Sequence, residues 1–564
     1  MRNLTLLLLL FTCATTIAQT RQAYVKGKVV DMNDNPLPGV SVGILGRQTG
    51  VLSSDSGTFT ITVPVERAIA LTFTFTGYKT EQRNFLLNNG EEEFIRVRME
   101  PGIRSLDSVI VTNQRQRREA GLVALNPKNA INIPSPSGGI EGLIKVMVGS
   151  NNELSSQYSV RGGSYDENLI YVNDFEVFRP YLVRSGQQEG LSFINPEMTR
   201  NVSFYNGGFQ AKYGDKLSSV LDIQYRKPKR FGGSAYVGLL EQGLHLEGTT
   251  KNSKFSYLVG VRNRSNRNLL ASQETQGNYV PSSSDLQALL TYQVSPTSTL
   301  EFLGNISQTK FSLTPAYSQL TASAYTSSRV INLGLDIFFG GKEEDRYLTS
   351  MAGLSFTHQP SKNLKLKWMI SRFENNERES IDITGAYLFG DREFDRSQSE
   401  FGLITNPLGS GVYQTFSRNR LNIAVLNASH KGTLDKGKHF IQWGQSIDRQ
   451  TVKDYLNEWE YQDSAGYSLP YNPDLLAFSK AVRSTADLNV IRLSGYVQDN
   501  IILNDSSGFS LQAGLRYNYN TLNKEFLISP RVGASWKPAD WSRDVIFRFA
   551  AGLYQQPPFY RELR

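Results

Sequence analysis

The second half of the chain alternates apolar and polar residues with a period of two. Between Phe509 and Asn520, apolar side chains occupy every odd position, and polar residues or glycine occupy every even one. A similar alternation runs from Leu286 to Ile306 across a Ser-Pro-Thr-Ser turn, and again from Leu364 to Ile370. Because the side chains of a strand point to opposite faces in turn, these patterns predict antiparallel strands with one apolar face.

Strands of this length are typical of a transmembrane β-barrel, in which short turns alternate with long polar loops. The predicted long loops are Gln308 to Ser328, Asp382 to Gln414 and Lys453 to Asp487. A large soluble β-protein shows the same alternation with its apolar face inward, so the period alone leaves both folds open. Export and the aromatic residues at strand ends favour the barrel.

The first residues have the order of a secretory signal peptide. Arg2 precedes a short apolar run from Leu4 to Phe11, and small residues follow up to Ala18. This predicts a signal peptide over residues 1–18, because the run is shorter than the roughly 20 residues that a transmembrane helix needs. A lipoprotein would be acylated at Cys13, but Thr12 replaces the small residue expected before it. An exported chain without apolar helices crosses a membrane with β-strands or not at all.

Residues 22–100 predict a small β-sandwich, since short alternating runs such as Val25 to Val30 and Thr58 to Val63 are separated by turn clusters. Residues 101–113 form a linker that contains a β-prone run, Asp107 to Thr112. Such a run adds as a strand to the edge of a partner's sheet, or it is simply the first strand of the next domain.

Residues 114–226 predict a mixed α+β domain, with a short helix at Ile140 to Val148 and strands at Asn168 to Val172 and Val202 to Tyr205. Residues 231–564 predict the barrel, with about 14 strands at roughly ten residues per strand. The fold class is therefore mainly β: a small sandwich, an α+β domain and a transmembrane antiparallel barrel.

Charge and candidate chemistry argue against an enzyme and against a nucleic-acid partner. The net charge is +8, but basic and acidic residues are interleaved along the chain, and the cluster at Arg115, Arg117 and Arg118 is a solvated linker. The four histidines stand singly, with no second ligand at metal-binding spacing. No carboxylate pair or phosphate-binding glycine loop stands out. We therefore expect no catalytic residues, no metal and no cofactor.

The chain resembles two known families. Its first domain resembles the carboxypeptidase-regulatory-like domain, and the rest resembles the plug and barrel of TonB-dependent receptors. The first resemblance rests on Gly27 to Asp31, Pro36 to Val40, Asp55 to Phe59 and Phe75 to Tyr78. The second rests on Ser159 to Gly163, Leu169 to Asp174, Ile194 to Pro196, Asn206 to Gly214, Leu217 to Ile223, Leu493 to Asp499, Gly514 to Arg516, Ser529 to Arg531 and Gly552 to Pro558.

The resemblance implies a plug inside a 22-stranded barrel in the bacterial outer membrane, and no enzyme activity. It implies active import of a scarce ligand, such as a siderophore, metal chelate, oligosaccharide or peptide. The energising partner would be TonB of the inner-membrane complex, and a surface lipoprotein is a further candidate partner. The regulatory domain and the TonB box would lie in the periplasm.

Three sets of residues receive roles from this resemblance. The TonB box is Asp107, Ser108, Val109, Ile110, Val111 and Thr112. The candidate ligand-facing plug loop contains Arg179, Tyr181, Arg184 and Gln187. A structural role inside the plug falls to Arg161, Gly162 and Gly163.

Two features depart from the family pattern. About 14 strands are too few for closure, so we expect a C-terminally truncated chain that lacks roughly 200 residues. The plug end, Tyr213 to Val220, differs from the starch-utilisation importers and argues against that subgroup. The alternative function is a surface-binding or adhesion protein without energised transport. A passive porin does not explain the domain that precedes the barrel.

Overall fold

The structure is a computed structural model. It describes residues 22–100, 122–127, 139–148, 158–178, 193–267, 277–325, 330–464, 467–468, 477–504, 509–536 and 545–557, except residues 33, 46–49, 68, 77, 79, 126 and 266. The chain divides into two compact units, Met1–Thr112 and Asn113–Arg564. Within the described ranges, no helix is both long enough and apolar enough to span a membrane.

In its described residues, the first unit contains seven strands in two sheets. They are β1 (Ala23–Val30), β2 (Ser41–Ile44), β3 (Gly50–Leu52), β4 (Thr58–Val63), β5 (Ile69–Thr74), β6 (Glu81–Phe85) and β7 (Glu92–Arg98). One sheet has the order β4-β1-β7 and the other β3-β2-β5-β6. The inward side chains of both sheets form one apolar core, in which Phe59 and Phe73 meet edge to face with ring centroids 5.4 Å apart. This arrangement is a small β-sandwich.

The second unit begins with a plug domain. Its elements are β8 (Leu122–Leu125), α1 (Gly139–Val148), β9 (Asn168–Val172), β10 (Phe175–Glu176), β11 (Thr199–Tyr205) and β12 (Ser219–Tyr225). The sheet has the order β10-β9-β12-β11-β8, with β9 and β12 parallel. The apolar face of α1 buries Ile140 and Ile144 in the plug core. The predicted helix and both predicted plug strands are therefore confirmed.

The remaining strands form one large antiparallel sheet. They are β13 (Gly232–Val237), β14 (Glu241–Thr249), β15 (Phe255–Ser265), β16 (Gly277–Ser295), β17 (Ser298–Pro315), β18 (Ser318–Tyr325), β19 (Val330–His358), β20 (Leu364–Arg392), β21 (Ile404–Lys436), β22 (His439–Ser464), β23 (Tyr467–Ser468), β24 (Lys480–Asn504), β25 (Phe509–Asn520), β26 (Glu525–Trp536) and β27 (Phe547–Gly552). The path runs in chain order from β13 to β27, while β18 pairs only with β19 and β23 only with β22. The mainly β fold is confirmed, with 15 strands in this sheet.

The predicted long loops are wrong in extent. Most of Gln308 to Ser328, Asp382 to Gln414 and Lys453 to Asp487 is strand, and β21 alone has 33 residues. These strands continue beyond the roughly ten residues that cross a bilayer. A strand surrounded by water needs no apolar side, so both faces of these extensions carry polar residues. The sequence therefore shows no period-two alternation from which the extensions could be predicted.

The two faces of the large sheet have opposite polarity. On β20, Trp368 and Ile370 are exposed, whereas their neighbours Lys367 and Ser371 are buried. Six residues that lie directly opposite one another, Phe302, Leu354, Ile370, Ala428, Ile447 and Leu493, form an outward apolar row across β17, β19, β20, β21, β22 and β24. A soluble β-protein would bury this row. The apolar side therefore faces lipid, and the polar side faces the plug.

Leu354→Arg tests this assignment. Leu354 lies on the outward face, 42% exposed, so the substitution puts a charge into the acyl layer. We expect a loss of about 2 kcal/mol in barrel stability, as for other lipid-facing arginines. The measurement is urea unfolding in lipid vesicles.

Ser312→Arg is the control, because Ser312 lies on the same outward face of the neighbouring strand β17, opposite the charged Glu344 and beyond the apolar residues Ile306 and Leu348. It should cost clearly less than Leu354→Arg. Equal cost for both substitutions would contradict a lipid-facing apolar band.

Candidate functional site: the interface between plug and barrel wall

A tight turn between β9 and β10 brings one plug carboxylate to the wall. Asn173 and Asp174 have φ of 50° and 75°, and Val172 pairs with Phe175, which is the geometry of a two-residue type I′ hairpin. The Asp174 carboxylate lies 2.6 Å from the Lys367 ammonium of β20 and 3.3 Å from the Lys431 ammonium of β21. Burial raises the Asp174 pKa, but the two lysines outweigh burial and hold it well below its usual range.

A second plug carboxylate, Asp215, contacts the wall at β25. It lies 3.0 Å from the Arg516 guanidinium and accepts a hydrogen bond of 2.8 Å from the Asn518 amide. Gly214 permits this approach, because a Cβ at that position would overlap the Arg516 side chain. Burial raises the Asp215 pKa, whereas Arg516 and Arg492 lower it by more, so the carboxylate stays ionised.

Arg492 of β24 joins three carboxylates from both sides of the interface. Its guanidinium lies 3.1 Å from Asp448 of the wall, 3.4 Å from Asp215 and 3.9 Å from Glu176 of β10. Glu176 is the most distant of the three. Burial raises its pKa to about 7; Arg492 opposes this shift, and the negative Asp448 and Asp215 add to it. One cation thus neutralises the two nearer carboxylates better than the third.

These contacts surround a cleft between plug and wall with about 550 Å³ of empty space, part of which is open solvent. Its lining mixes both charges with hydroxyl and amide groups, including Lys212, Asn427, Ser446 and Tyr496. The plug is therefore joined to this part of the wall by ion pairs beside water rather than by apolar packing alone.

The plug meets β15 and β16 differently. Arg262 pairs with Asp285 of the wall itself and donates a 2.8 Å hydrogen bond to the Ile194 carbonyl. Gln287 donates to the Phe193 carbonyl and accepts from the Tyr225 hydroxyl, at 2.5 and 2.6 Å. Here the wall charges are already neutralised, and the plug contributes backbone carbonyls.

A third contact lies near β26. Arg531 donates to the carbonyls of Gln210 and Tyr213 at 2.8 and 2.5 Å, and its guanidinium stacks over the rings of Phe209 and Tyr554. This contact fixes the plug segment that leads to Asp215.

The structural residues Arg161, Gly162 and Gly163 form a turn inside the plug. Arg161 and Gly162 have φ of 51° and 82°, and the Gly163 N–H donates to the Val160 carbonyl at 3.0 Å. A Cβ on Gly163 would overlap Ser218, whose hydroxyl donates to Glu167. This geometry supports a structural role, which stays a prediction.

The other predicted site residues lie outside the described residues. These are the TonB box Asp107 to Thr112 and the plug loop with Arg179, Tyr181, Arg184 and Gln187. The sequence did not single out Asp174, Glu176 or Asp215. The only available signal was the Asn-Asp turn dipeptide between two apolar strands, which predicts a hairpin but not a salt bridge.

The histidines do not form a metal centre within the described ranges, where no group of three His, Cys, Asp or Glu side chains could hold an ion. His430 packs against Trp368, and His358 against Phe356, on the outward face. His245 and His439 lie beside Glu247 and Asp499 respectively.

A wall that is apolar outside and carries charged residues inside, with a domain against its inner face whose sheet shares no strand with it, defines a plugged β-barrel of the outer membrane. Family models match the chain in three places. Residues 25–111 match a CarboxypepD_reg-like domain, residues 124–219 the TonB-dependent receptor plug domain, and residues 291–562 the TonB-dependent receptor-like β-barrel. The chain belongs to the TonB-dependent receptors, which are receptors and transporters of the outer membrane and not enzymes.

Similar proteins include a TonB-dependent receptor of Formosa agariphila, 24% identical over 223 residues, which are 38% of this chain and 20% of that relative. Among solved structures, a variant of the ferric enterobactin receptor of Pseudomonas aeruginosa is 15% identical, with a TM-score of 0.49 over 79% of this chain and 63% of that one. The outer membrane transporter YddB of Escherichia coli is 10% identical, with a TM-score of 0.47 over 74% and 58%. The chain thus spans less than two thirds of these proteins.

Asp215→Asn should loosen the plug. Arg516 and Arg492 would lose a shared carboxylate, and breaking a buried ion pair by removing one partner costs about 2–4 kcal/mol. The readout is the urea concentration at which the plug leaves the barrel, followed as ion conductance across a planar bilayer. Asp395→Asn makes the same charge change at an exposed position in the loop between β20 and β21. Plug release at unchanged urea in Asp215→Asn would contradict the role of this contact.

Plug seating should also depend on pH through Glu176. Its pKa is raised to about 7 in the seated plug and returns toward its ordinary value of 4.5 when water surrounds the group. A raised pKa gives stability that is complete below 4.5 and lost as the pH rises through about 7. Release should therefore need less urea as the pH rises across this window. Glu176→Gln should remove that trend, and an unchanged trend would exclude Glu176 as its source.

Proposed function

We propose that this chain imports a scarce ligand across the outer membrane by displacement of its plug. The observation that carries the proposal is that plug and wall share no strand pairing in the described part of the chain. The plug can therefore move without breaking the backbone hydrogen bonds of the barrel. A siderophore, metal chelate, oligosaccharide or peptide is the proposed cargo.

The charged contacts support displacement. Lys367, Lys431 and Arg516 meet plug carboxylates beside a cleft that is open to water. When the plug leaves, water can hydrate both the wall cations and the carboxylates, which lowers the free-energy cost of separation relative to a dry interface.

TonB is the proposed energising partner, and Asp107 to Thr112 is its proposed binding segment. The boundary between the two compact units falls directly after Thr112. A β-prone run at this position can add to the sheet of a partner through main-chain hydrogen bonds. A pull on this run reaches the plug first, since the plug follows in the chain.

Further assignments belong to the same proposal. Residues 1–18 direct export, and the N-terminal sandwich and the TonB box lie in the periplasm. The loop with Arg179, Tyr181, Arg184 and Gln187 follows β10 and faces the ligand. A surface lipoprotein would assist capture on the extracellular side.

Ile110→Pro tests the coupling. Proline has no N–H and breaks strand addition, so uptake should fall to the level of a strain without TonB, while surface binding is retained. The measurement is cell-associated against internalised label for a panel of ferric siderophores, cobalamin, oligosaccharides and peptides, in the intact protein.

Ile110→Val is the control, because it keeps the N–H and the β-branched side chain. Deletion of Asp107 to Thr112 should reproduce the proline result. Uptake by Ile110→Pro at the wild-type rate would contradict energised import. Binding that ignores collapse of the proton gradient, without any internalised label, would favour a surface-binding or adhesion protein.

A further inference from the structure

One outer strand of the N-terminal sandwich has a partner on one side only. Among the described residues, β7 pairs with β1 and with no other strand. At seven residues it is the longest of the described edge strands in the two sheets of this unit. An edge strand presents unpaired backbone groups to any strand that approaches it.

The odd-numbered residues of β7 use their backbone groups on β1. The Glu91 carbonyl accepts a 2.9 Å hydrogen bond from β1, and the Met99 N–H donates one of 2.8 Å to β1. The Ile95 carbonyl lies so close to Gly27 of β1 that a Cβ there would overlap it. Because successive residues of a strand direct their N–H and C=O groups to opposite sides, the even-numbered residues direct theirs to the free edge. These residues are Glu92, Phe94, Arg96 and Arg98.

The same four residues carry their side chains on the outer face of the sheet. All four are exposed, and the apolar ring of Phe94 is 73% exposed, whereas Val97 between the two arginines is fully buried. The acidic residue Glu92 stands at the start of the strand, and the basic residues stand at its end. Opposite charges at the two ends make β7 complementary to a reversed copy of itself.

A second β7 fits this edge in antiparallel orientation, with Ile95 opposite Ile95 of the second copy. Glu92 then lies opposite Arg98 of that copy, and Phe94 lies opposite Arg96. These pairs consist of residues with free backbone groups, so the two strands form about eight main-chain hydrogen bonds. Opposite charges across two strands stabilise the pairing, and the Phe94 ring accepts a guanidinium over its face.

The charges select this register. A register centred on Arg96 would place this cation opposite itself, which destabilises a sheet. A register centred on Phe94 would place Arg98 opposite Gly90, which precedes the strand and has no carboxylate. A shift by one residue would pair outward side chains with inward ones. The register centred on Ile95 gives each Glu92 an arginine.

In a single chain these charged side chains have partners that are exposed to water. Asp34 lies 3.0 Å from Arg96 and 2.8 Å from Arg98, so one carboxylate serves two guanidinium groups. Glu92 lies 2.6 Å from Lys26. Ion pairs of this kind contribute little to stability. The side chains can therefore rearrange at low cost when a second copy brings a further carboxylate.

We infer that the N-terminal sandwich binds a second copy of this chain edge to edge through β7. The two three-stranded sheets become one sheet of six strands, in the order β4-β1-β7-β7-β1-β4. The contact is the same on both copies, with a twofold axis at Ile95. It consists of strand edges and few side chains, so it belongs to the small, transient class of interfaces. This interface does not depend on import.

Ile95→Cys tests the contact in the intact protein. Across the axis, position 95 faces its own copy as a non-hydrogen-bonded pair, with Cα atoms about 4.5 Å apart, which permits a disulfide. The wild type has one cysteine, Cys13. In isolated outer membranes, a mild oxidant should convert Ile95→Cys to a disulfide-linked dimer. The wild type and Thr60→Cys, which places a thiol on the opposite edge strand β4, should stay monomeric.

Charge reversal in the Ile95→Cys background tests the register. Glu92→Arg puts a cation opposite Arg98 of the second copy, so two attractive pairs become repulsive, and dimer formation should slow by about tenfold. The double substitution Glu92→Arg/Arg98→Glu restores opposite charges and should restore the rate. Thr60→Arg is the control, because it adds a cation to the outer face of β4 and should leave the rate unchanged.

Absence of a dimer in oxidised Ile95→Cys would overturn the inference. A disulfide between this variant and a different protein, without any dimer, would do the same, because another strand would then occupy the edge. Slower dimer formation with Thr60→Arg but not with Glu92→Arg would place the contact on β4. A double substitution no faster than Glu92→Arg alone would contradict the pairing of Glu92 with Arg98.

Discussion

A backbone N–H or C=O group in lipid has no water to bond, so every such group must find its partner within the protein. The long antiparallel sheet meets this constraint, since each strand from β14 to β26, apart from β18 and the short β23, is paired on both sides. With the backbone pairing fixed, the two faces of the sheet differ only in the side chains that they carry. Lipid takes the apolar face, and the polar residues must lie inside.

The polar inner face determines how the plug is held. An inner wall that carries Lys367, Arg492 and Arg516 cannot be covered by a purely apolar domain, because buried charges without partners are costly. The plug therefore supplies Asp174, Glu176 and Asp215 at the matching places. The strained turns at Asn173 and Asp215, both with positive φ, are what present these carboxylates. The resulting interface is specific and yet can be hydrated when the plug moves.

Much of the fold was predictable from local pattern, and little of the interface was. The alternation predicted β25 residue for residue, and the helix and strands of the plug followed from short apolar runs. The partners of Asp215 were not predictable, because Arg516 and Asn518 lie some 300 positions away in the chain and meet it only in the tertiary structure. The strand extensions of β20 and β21 were missed for another reason: beyond the membrane both faces are wet, so the period-two signal disappears.

The same strands serve two surfaces at once. On β21, Asn419 is buried on the inner face while Arg420 is exposed on the outer one, and on β20 Glu377 and Arg378 divide in the same way. A register slip of one residue would move the charged residues of the inner face outward, and Arg378 and Arg420 onto the plug side. The pairing register is therefore fixed by both faces together.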